Sequence, residues 1–414
     1  MSDVVYQPDR VLDIAMEIGV NLLKCGAEIS RVENTISYIC KAYGATDIDV
    51  FAIPTLIVAT IVINGNAYTS KVKRNYTVST DLYRLEKFNK LSRFICKEKP
   101  SLESVKAKAK EIQDMKDYNL ALIYLGSFLT SFGFAIIFGG TIRDGLAAGI
   151  VALIMTFFLR VQKKTFNQMI HTLLCSLIGG FFSVVMCWIG IGENIAYVMI
   201  GAIMIVIPGL MVATSIKDIM CDDILSGTLR LFQALVSTAA IVAGFSVWTM
   251  IYGGNVSIGE QSEWWMLLIS TILGTVGYSI VFNIKYKFLI VGTLGGVISY
   301  FTYYFVDIIS NNNVFLAMLA GTLIAGIYSE ILARVLKAPN TVFLLPAIIT
   351  LIPGALFYYT MYYLINWNEA LFNANSINMV LANLAMAVGI IIVSVGVQVI
   401  SKFYRKLKNR SILW

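Results

Sequence analysis

Two tripeptides carry the chemistry that can be read most directly from this chain. Ile207-Pro208-Gly209 and Ile352-Pro353-Gly354 each lie inside a long apolar segment. Proline in a helix interior removes a backbone hydrogen bond and clashes with the preceding turn. In hydrocarbon such an interruption is tolerated only where protein or a wet cavity re-satisfies the backbone. Proline also pre-organises the start of a new half-helix, and free N–H groups there attract anions. Pro208, Gly209, Pro353 and Gly354 are therefore candidate substrate-binding residues for a carboxylate, as on an amino acid or a small dicarboxylate. A bend needed only for packing is the other reading. Gln233 and Asn383 are polar residues in corresponding fifth spans of the two halves. They are candidates to hydrogen-bond either substrate or a neighbouring helix.

Ionisable groups form the second set. The stretch Lys217 to Arg230 packs Asp218, Asp222 and Asp223 between two spans. Asp218, Asp222 and Arg230 have the makings of a charge-paired gate or a proton-accepting site; a solvated loop obeying topology is the alternative. Glu330 and Arg334 stand four apart on one helix, acid first, which suits an ion pair. An intramembrane carboxylate there also suits a proton relay. Asp144 follows Arg143 at a helix start, where the dipole favours a carboxylate; it reads first as a cap and second as an extracellular gate. The one histidine, His171, begins a span and reads as packed or interfacial. The six cysteines show no CxxC spacing, so they read as reduced packing residues, and neither a metal site nor a cofactor is expected.

These groups must be positioned by membrane helices. Of 414 residues, 57% are hydrophobic and only 14% charged, and mean hydropathy is +0.75. Soluble proteins carry roughly 25% charged residues. The first 117 residues hold most of the Lys and Arg, the others stand between apolar runs, and the net charge is +7. It therefore points to groups flanking a lipid bilayer rather than to nucleic acid. A span needs about 20 apolar residues, and by that measure there are ten. Five are expected near 119–138, 144–159, 170–190, 194–214 and 229–252. Five more are expected near 264–283, 288–306, 314–332, 342–365 and 378–401. With both termini cytoplasmic, the inner loops hold Arg160, Lys163, Lys164, Lys217, Arg230, Lys285, Lys287, Arg334 and Lys337, whereas the outer loops hold only Arg143. That arrangement obeys the positive-inside rule.

The two halves echo one another. Gly133-Phe134-Ala135-Ile136-Ile137-Phe138 corresponds to Gly277-Tyr278-Ser279-Ile280-Val281-Phe282, 144 residues on, and the Ile-Pro-Gly breaks are 145 apart. Each half has an odd number of spans, so the repeat should be inverted, with a pseudo-two-fold axis in the membrane plane. The expected organisation is a cytoplasmic α/β domain over 1–117, five-helix modules over 118–255 and 262–403, and a basic tail over 404–414.

In the first of these, residues 8–24, 28–43, 80–97 and 101–116 read as helices. Residues 47–52, 56–63 and 67–73 read as strands, with Pro54 between the first two and an Asn64-Gly65-Asn66 turn before the third. Glu28, Arg31 and Glu33 crowd one helix turn, and Thr55, Thr60 and Ser79 supply hydroxyls. No histidine precedes residue 171, and no nucleophile with a positioned base is visible.

The motifs resemble those of the threonine/serine exporter family. The resemblance rests on Gly26-Ala27-Glu28-Ile29-Ser30-Arg31-Val32-Glu33-Asn34-Thr35, Pro54-Thr55, Phe138-Gly139-Gly140 with Asp144, Ile207-Pro208-Gly209, and Lys217-Asp218, Asp222, Ser226-Gly227 and Arg230. The second half, with Glu330, Arg334, Pro339, Pro346 and Leu351-Ile352-Pro353-Gly354, resembles the companion module that is a separate subunit in many bacteria. The sequence departs from the family pattern at Leu210-Met211-Val212-Ala213-Thr214, where a more polar stretch is expected. The resemblance implies a bacterial inner-membrane exporter of small amino or organic acids driven by protons, with oligomeric state left open between monomer and homo-oligomer. The competing expectation is a membrane-anchored hydrolase or sensor acting through residues 1–117; a passive channel is a third.

Overall fold

The computed structural model describes residues 7–63, 67–75, 80–161, 168–220, 222–252 and 262–410. The turn expected at Asn64-Gly65-Asn66, Ser79, Cys221, Lys163 and Lys164 lie outside them. The chain divides into two compact units. One comprises Met1–Tyr118, Thr214–Phe232 and Phe282–Lys285; the other comprises Asn119–Ala213, Gln233–Val281 and Tyr286–Trp414.

In the first unit, α1 (Pro8–Lys24) and α2 (Ile29–Ala42) are joined through Gly26, whose φ of 86° reverses the chain where a Cβ would be strained. The apolar stripe Val11, Ala15, Ile18 and Leu22 is buried. Strands β1 (Ala45–Ile53), β2 (Leu56–Ile63) and β3 (Ala67–Arg74) form an antiparallel sheet in sequence order. Ile53 pairs with Leu56, so Pro54 and Thr55 make a two-residue turn. Helices α3 (Leu82–Glu98) and α4 (Leu102–Gln113) complete the N-terminal part. Asp81 caps α3 by accepting from the Arg84 N–H at 2.9 Å. The Phe282 and Asn283 carbonyls accept from the N–H groups of Leu82 and Tyr83 at 3.1 and 3.0 Å. The short segment 282–285 thus satisfies donors that the start of α3 leaves free.

The second unit is helical. It contains α5 (Leu120–Ile137), α6 (Ile142–Val161), α7 (Gln168–Trp188), α8 (Ile195–Ile203), α9 (Gly209–Met220) as far as Ala213, and α10 (Ile224–Tyr252) from residue 233. Then follow α11 (Trp264–Val281), α12 (Tyr286–Ile309), α13 (Val314–Val335), α14 (Thr341–Ile348) with a 3-10 turn at Ile349–Leu351, α15 (Gly354–Ile365) and α16 (Glu369–Arg410). Among the described residues, eight helices are long and apolar enough to span a membrane; α14 and α15, bent by 43°, make a ninth if counted as one. This corrects the expectation of ten. The missing span is 194–214: it is split into α8, nine residues and about 14 Å long at 1.5 Å per residue, and α9, which passes into the other unit at Thr214. Residues 217–230, expected as a loop, are instead the end of α9, a turn at Asp222 and Asp223, and the first turns of α10.

Small residues set the closest helix contacts. A Cβ on Gly133 of α5 would lie 2.5 Å from the Ser270 carbonyl oxygen of α11, and one on Gly277 of α11 would lie 2.5 Å from the Gly126 carbonyl oxygen of α5. Contact of this kind lets backbones approach where lipid offers no hydrophobic drive between helices.

Candidate functional site

Both Ile-Pro-Gly sequences interrupt helices. At the first, α8 ends at Ile203, the N–H groups of Val206 and Ile207 bond back to the Ile203 carbonyl at 2.9 and 3.1 Å, and α9 starts at Gly209. The Met204 carbonyl accepts instead from the Tyr278 hydroxyl at 2.5 Å. At the second, the 3-10 turn closes through the Ile352 N–H on the Ile349 carbonyl at 3.3 Å, and Pro353 precedes the first residue of α15. The two interruptions meet. A Cβ on Gly354 would lie 2.6 Å from Met204 Sδ and 3.3 Å from Ile207 Cδ1. Beside Pro353 lies a cavity of about 280 Å³, reached by Thr350, Tyr300, Tyr303 and Met318.

In the first unit, segments remote in sequence build a charged cluster. Asp218 on α9 and Arg230 on α10 pair at 3.1 Å with side chains 0% and 7% exposed. Gly227 permits this crossing, since a Cβ there would meet the Ser215 carbonyl oxygen at 2.6 Å. Asp218 Oδ1 accepts from the Ile29 N–H at 3.1 Å, at the start of α2. Arg230 Nη2 donates to the Ala27 carbonyl at 2.9 Å. The Ser226 hydroxyl donates to the Ala52 carbonyl at 3.1 Å, and the Ala52 N–H donates to Glu33 at 2.8 Å. Glu28, buried, lies 3.8 Å from Arg31. Burial pushes the Asp218 carboxyl up to about 6, aided by Glu28 and Asp223, against the pull of Arg230 and the Ile29 N–H. Burial also raises Glu33, which feels Asp223 and Asp218 while the Ala52 N–H opposes the shift. Asp223 is raised by burial and by Asp222. The arrangement is a docked, partly desolvated carboxylate cluster able to hold a proton near neutral pH.

The remaining expected residues take several positions. Asp222 is exposed in the turn with φ 67°. Asp144 is buried and its carboxylate accepts four bonds: from the Thr141 N–H and hydroxyl at 2.9 and 3.0 Å, and from the Glu193 and Asn194 N–H groups, both at 2.8 Å. It therefore ties the start of α6 to the start of α8. Glu330 lies 3.8 Å from Arg334, which is 56% exposed, and accepts from Asn340 at 2.6 Å. Gln233 is exposed on α10. Asn383 donates to the Met379 carbonyl of its own helix at 2.8 Å. His171 is buried, with Nε2 3.4 Å from the Phe158 carbonyl oxygen.

Sequence reasoning passed over Tyr278, Tyr300, Tyr303 and Asp307. The last three recur at 300, 303 and 307, one stripe of α12, and an acid within an apolar run was the available signal.

The described residues thus define a multi-pass helical membrane protein with interrupted helices meeting inside its transmembrane unit and a charged cluster on its N-terminal unit. Residues 13–252 match the family described as "Putative threonine/serine exporter". Residues 267–395 match the one described as "Threonine/Serine exporter, ThrE". The chain belongs to this exporter family, carries both modules in one polypeptide, and is a transporter rather than an enzyme. No curated protein and no solved structure matches it.

Proposed function

We propose that this chain is a proton-coupled exporter of threonine, serine and related small amino or organic acids, working by alternating access in a bacterial inner membrane with both termini cytoplasmic. The observation that carries the proposal is the meeting of the two interruptions at Gly354, Met204 and Ile207. Paired broken helices in corresponding halves bring backbone polar groups to a substrate within the membrane. Pro208, Gly209, Pro353 and Gly354 are the first substrate-binding candidates, and Gln233 and Asn383 are secondary ones.

The packing of α5 on α11 supports an inverted repeat. With a 144-residue offset, Gly133 against Ser270 and Gly277 against Gly126 are the same contact exchanged between halves. Reciprocal contact of this kind is the mark of a two-fold relation. The pairs run in opposite senses along the two helices, as an axis perpendicular to them requires. A second contact repeats too: Gly244 packs on Ser176 and Leu177, Gly389 on Thr322 and Leu323. The Asp218–Arg230 cluster supplies the proton-responsive element, with Asp222 at its edge; Glu330, Arg334 and Asp144 are the other gating candidates.

Proline at 353 withholds an N–H and holds φ at −76°. Pro353→Ala restores a donor and lets α14 and α15 run together. In proteoliposomes loaded with threonine, Pro353→Ala and Gly209→Leu should lose at least nine-tenths of efflux while inserting normally. Wild-type rates from both variants would refute the site, and efflux unchanged after collapse of the pH gradient would refute the coupling.

A further inference from the structure

A cleft of about 840 Å³ runs between α2 and α3 of the N-terminal unit. Two stripes at helical spacing line it: Arg31, Tyr38 and Lys41 on α2, and Asn89, Arg93 and Lys97 on α3. Neighbouring helices ordinarily turn apolar stripes toward one another. These stripes bring four cations to one cleft, and Glu28 is the one acid among the lining residues. Local acids answer that charge weakly. Glu28 stands 3.8 Å from Arg31 and also acts on Arg230. Glu98 meets Lys97 at 3.2 Å, but both are exposed, where a pair is worth little. Two donors on the same walls are unmatched. Among the described residues, Arg31 Nε and Asn89 Nδ2 are buried without a hydrogen-bond partner. Both groups can only donate. A buried donor left unmatched costs free energy, and two on one cleft call for an acceptor. Tyr38 adds an aromatic ring, 58% exposed. Cys96 lines the cleft too, but burial raises its thiol against the pull of Ser92, and this unit has no histidine. The arrangement is therefore suited to holding a ligand rather than attacking one.

We propose that this cleft binds a nucleoside phosphate. A phosphate group brings negative charge and three acceptor oxygens, which is what the walls lack. Arg31 and Arg93 take it with their planar forks. Asn89 supplies a neutral donor, and Lys41 and Lys97 add to the field that draws the anion in. Tyr38 stacks on the base, as aromatic side chains do with any nucleobase. The volume of about 840 Å³ lies within the roughly 300–1,000 Å³ typical of small-molecule sites, which leaves room for base and sugar as well as phosphate. The site lies wholly within the N-terminal unit. Its ligand is distinct from the transported molecule, and the proposal does not rest on the exporter reading.

The test is titration calorimetry on the full chain in detergent, with ADP, GDP, adenosine and inorganic phosphate as probes. At least one of the two nucleotides should bind saturably, one per chain, and at least tenfold tighter than adenosine or phosphate. Arg31→Gln should weaken that nucleotide at least tenfold, the range expected for one charge-assisted hydrogen bond. Tyr38→Ala should weaken it about fivefold or more, as loss of a stacked base predicts, and leave phosphate binding as it was. Lys41→Gln, at an exposed position, should weaken it less and make its affinity less sensitive to salt. Thermal unfolding of each variant separates a lost ligand contact from a lost fold. Saturable binding of neither nucleotide to the parent chain would overturn the site, as would parental affinity in both Tyr38→Ala and Lys41→Gln. Short-chain phosphatidylglycerol that binds as tightly as the nucleotide, and is indifferent to Tyr38→Ala, would also overturn it and assign the cleft to a lipid headgroup.

Discussion

The two Ile-Pro-Gly interruptions share a sequence and differ in how they close. At the first, the Met204 carbonyl depends on a hydroxyl brought by α11. At the second, the Ile349 carbonyl is satisfied within its own 3-10 turn. The difference traces to one residue. Tyr278 corresponds to Phe134 in the repeat, and the two rings meet edge-on with centroids 6.0 Å apart. Of the two rings Tyr278 alone carries a hydroxyl, and through it the second half holds the first interruption. A repeat in sequence thus yields two unlike ends in space.

The charged pairs differ in the same instructive way. Asp218 and Arg230 are both buried, and each also bonds to the backbone around the start of α2. Glu330 and Arg334 are an i,i+4 pair with the arginine 56% exposed. Exposed pairs of that kind contribute at most about 1 kcal/mol. Removing one partner of a buried pair leaves an uncompensated charge and costs roughly 3–5 kcal/mol.

The sharpest way to break that contrast is therefore Asp218→Ala. It should release residues 214–232 from the N-terminal unit, seen as new protease cleavage in that segment of the full chain. Asp218→Leu with Arg230→Met should restore protection while abolishing the response to pH, because both buried charges leave together. That response has a definite sign. The Asp218 carboxyl lies above its ordinary 3.8, near 6, so the folded cluster holds a proton that the unfolded chain releases. The stability this confers is complete below about pH 4 and is lost as pH rises through about 6. Protease protection of the segment should accordingly increase on acidification from pH 7.5 to 5.5, and Asp218→Asn should flatten the profile. Protection independent of pH in the parent chain would contradict it.

A smaller effect is expected at the first interruption. Tyr278→Phe makes the second half match the first and leaves the Met204 carbonyl unsatisfied, at a cost of about 1–3 kcal/mol. Lower thermal stability with altered efflux would bear out the asymmetry; unchanged values in both would remove it. Least is expected of Glu330→Gln, whose stability should stay within about 1 kcal/mol of the parent. A loss of efflux without loss of stability would promote Glu330 to a proton carrier.

Much of the architecture is legible in local patterns. Apolar runs mark the long helices, the buried stripe of α1 follows helical spacing, and β-branched residues around Pro54-Thr55 mark the first hairpin. The span at 194–214 was misjudged because hydropathy measures apolar length and is blind to continuity. Its residues are apolar enough to cross, but without the Pro208 N–H and with Val206 and Ile207 turned back on Ile203, they form two short helices. α10 starts at Ile224, five residues before the expected span at 229–252, and the Arg230 charge in its first turns is matched by Asp218 and the Ala27 carbonyl.

The candidate sites divide the same way. Residue types alone mark the two breaks and the acids beside Arg230, since a proline inside an apolar run and a carboxylate between spans are anomalies on any fold. Which carboxylate is desolvated, which carbonyl is bonded by a side chain, and which tyrosine lines a cavity depend on contacts between segments as far apart as the 203 residues from Ala27 to Arg230. A linear pattern fixes what each residue can donate, accept or ionise. Only packing decides which of those capacities is already used within the protein and which is left for a ligand or a proton.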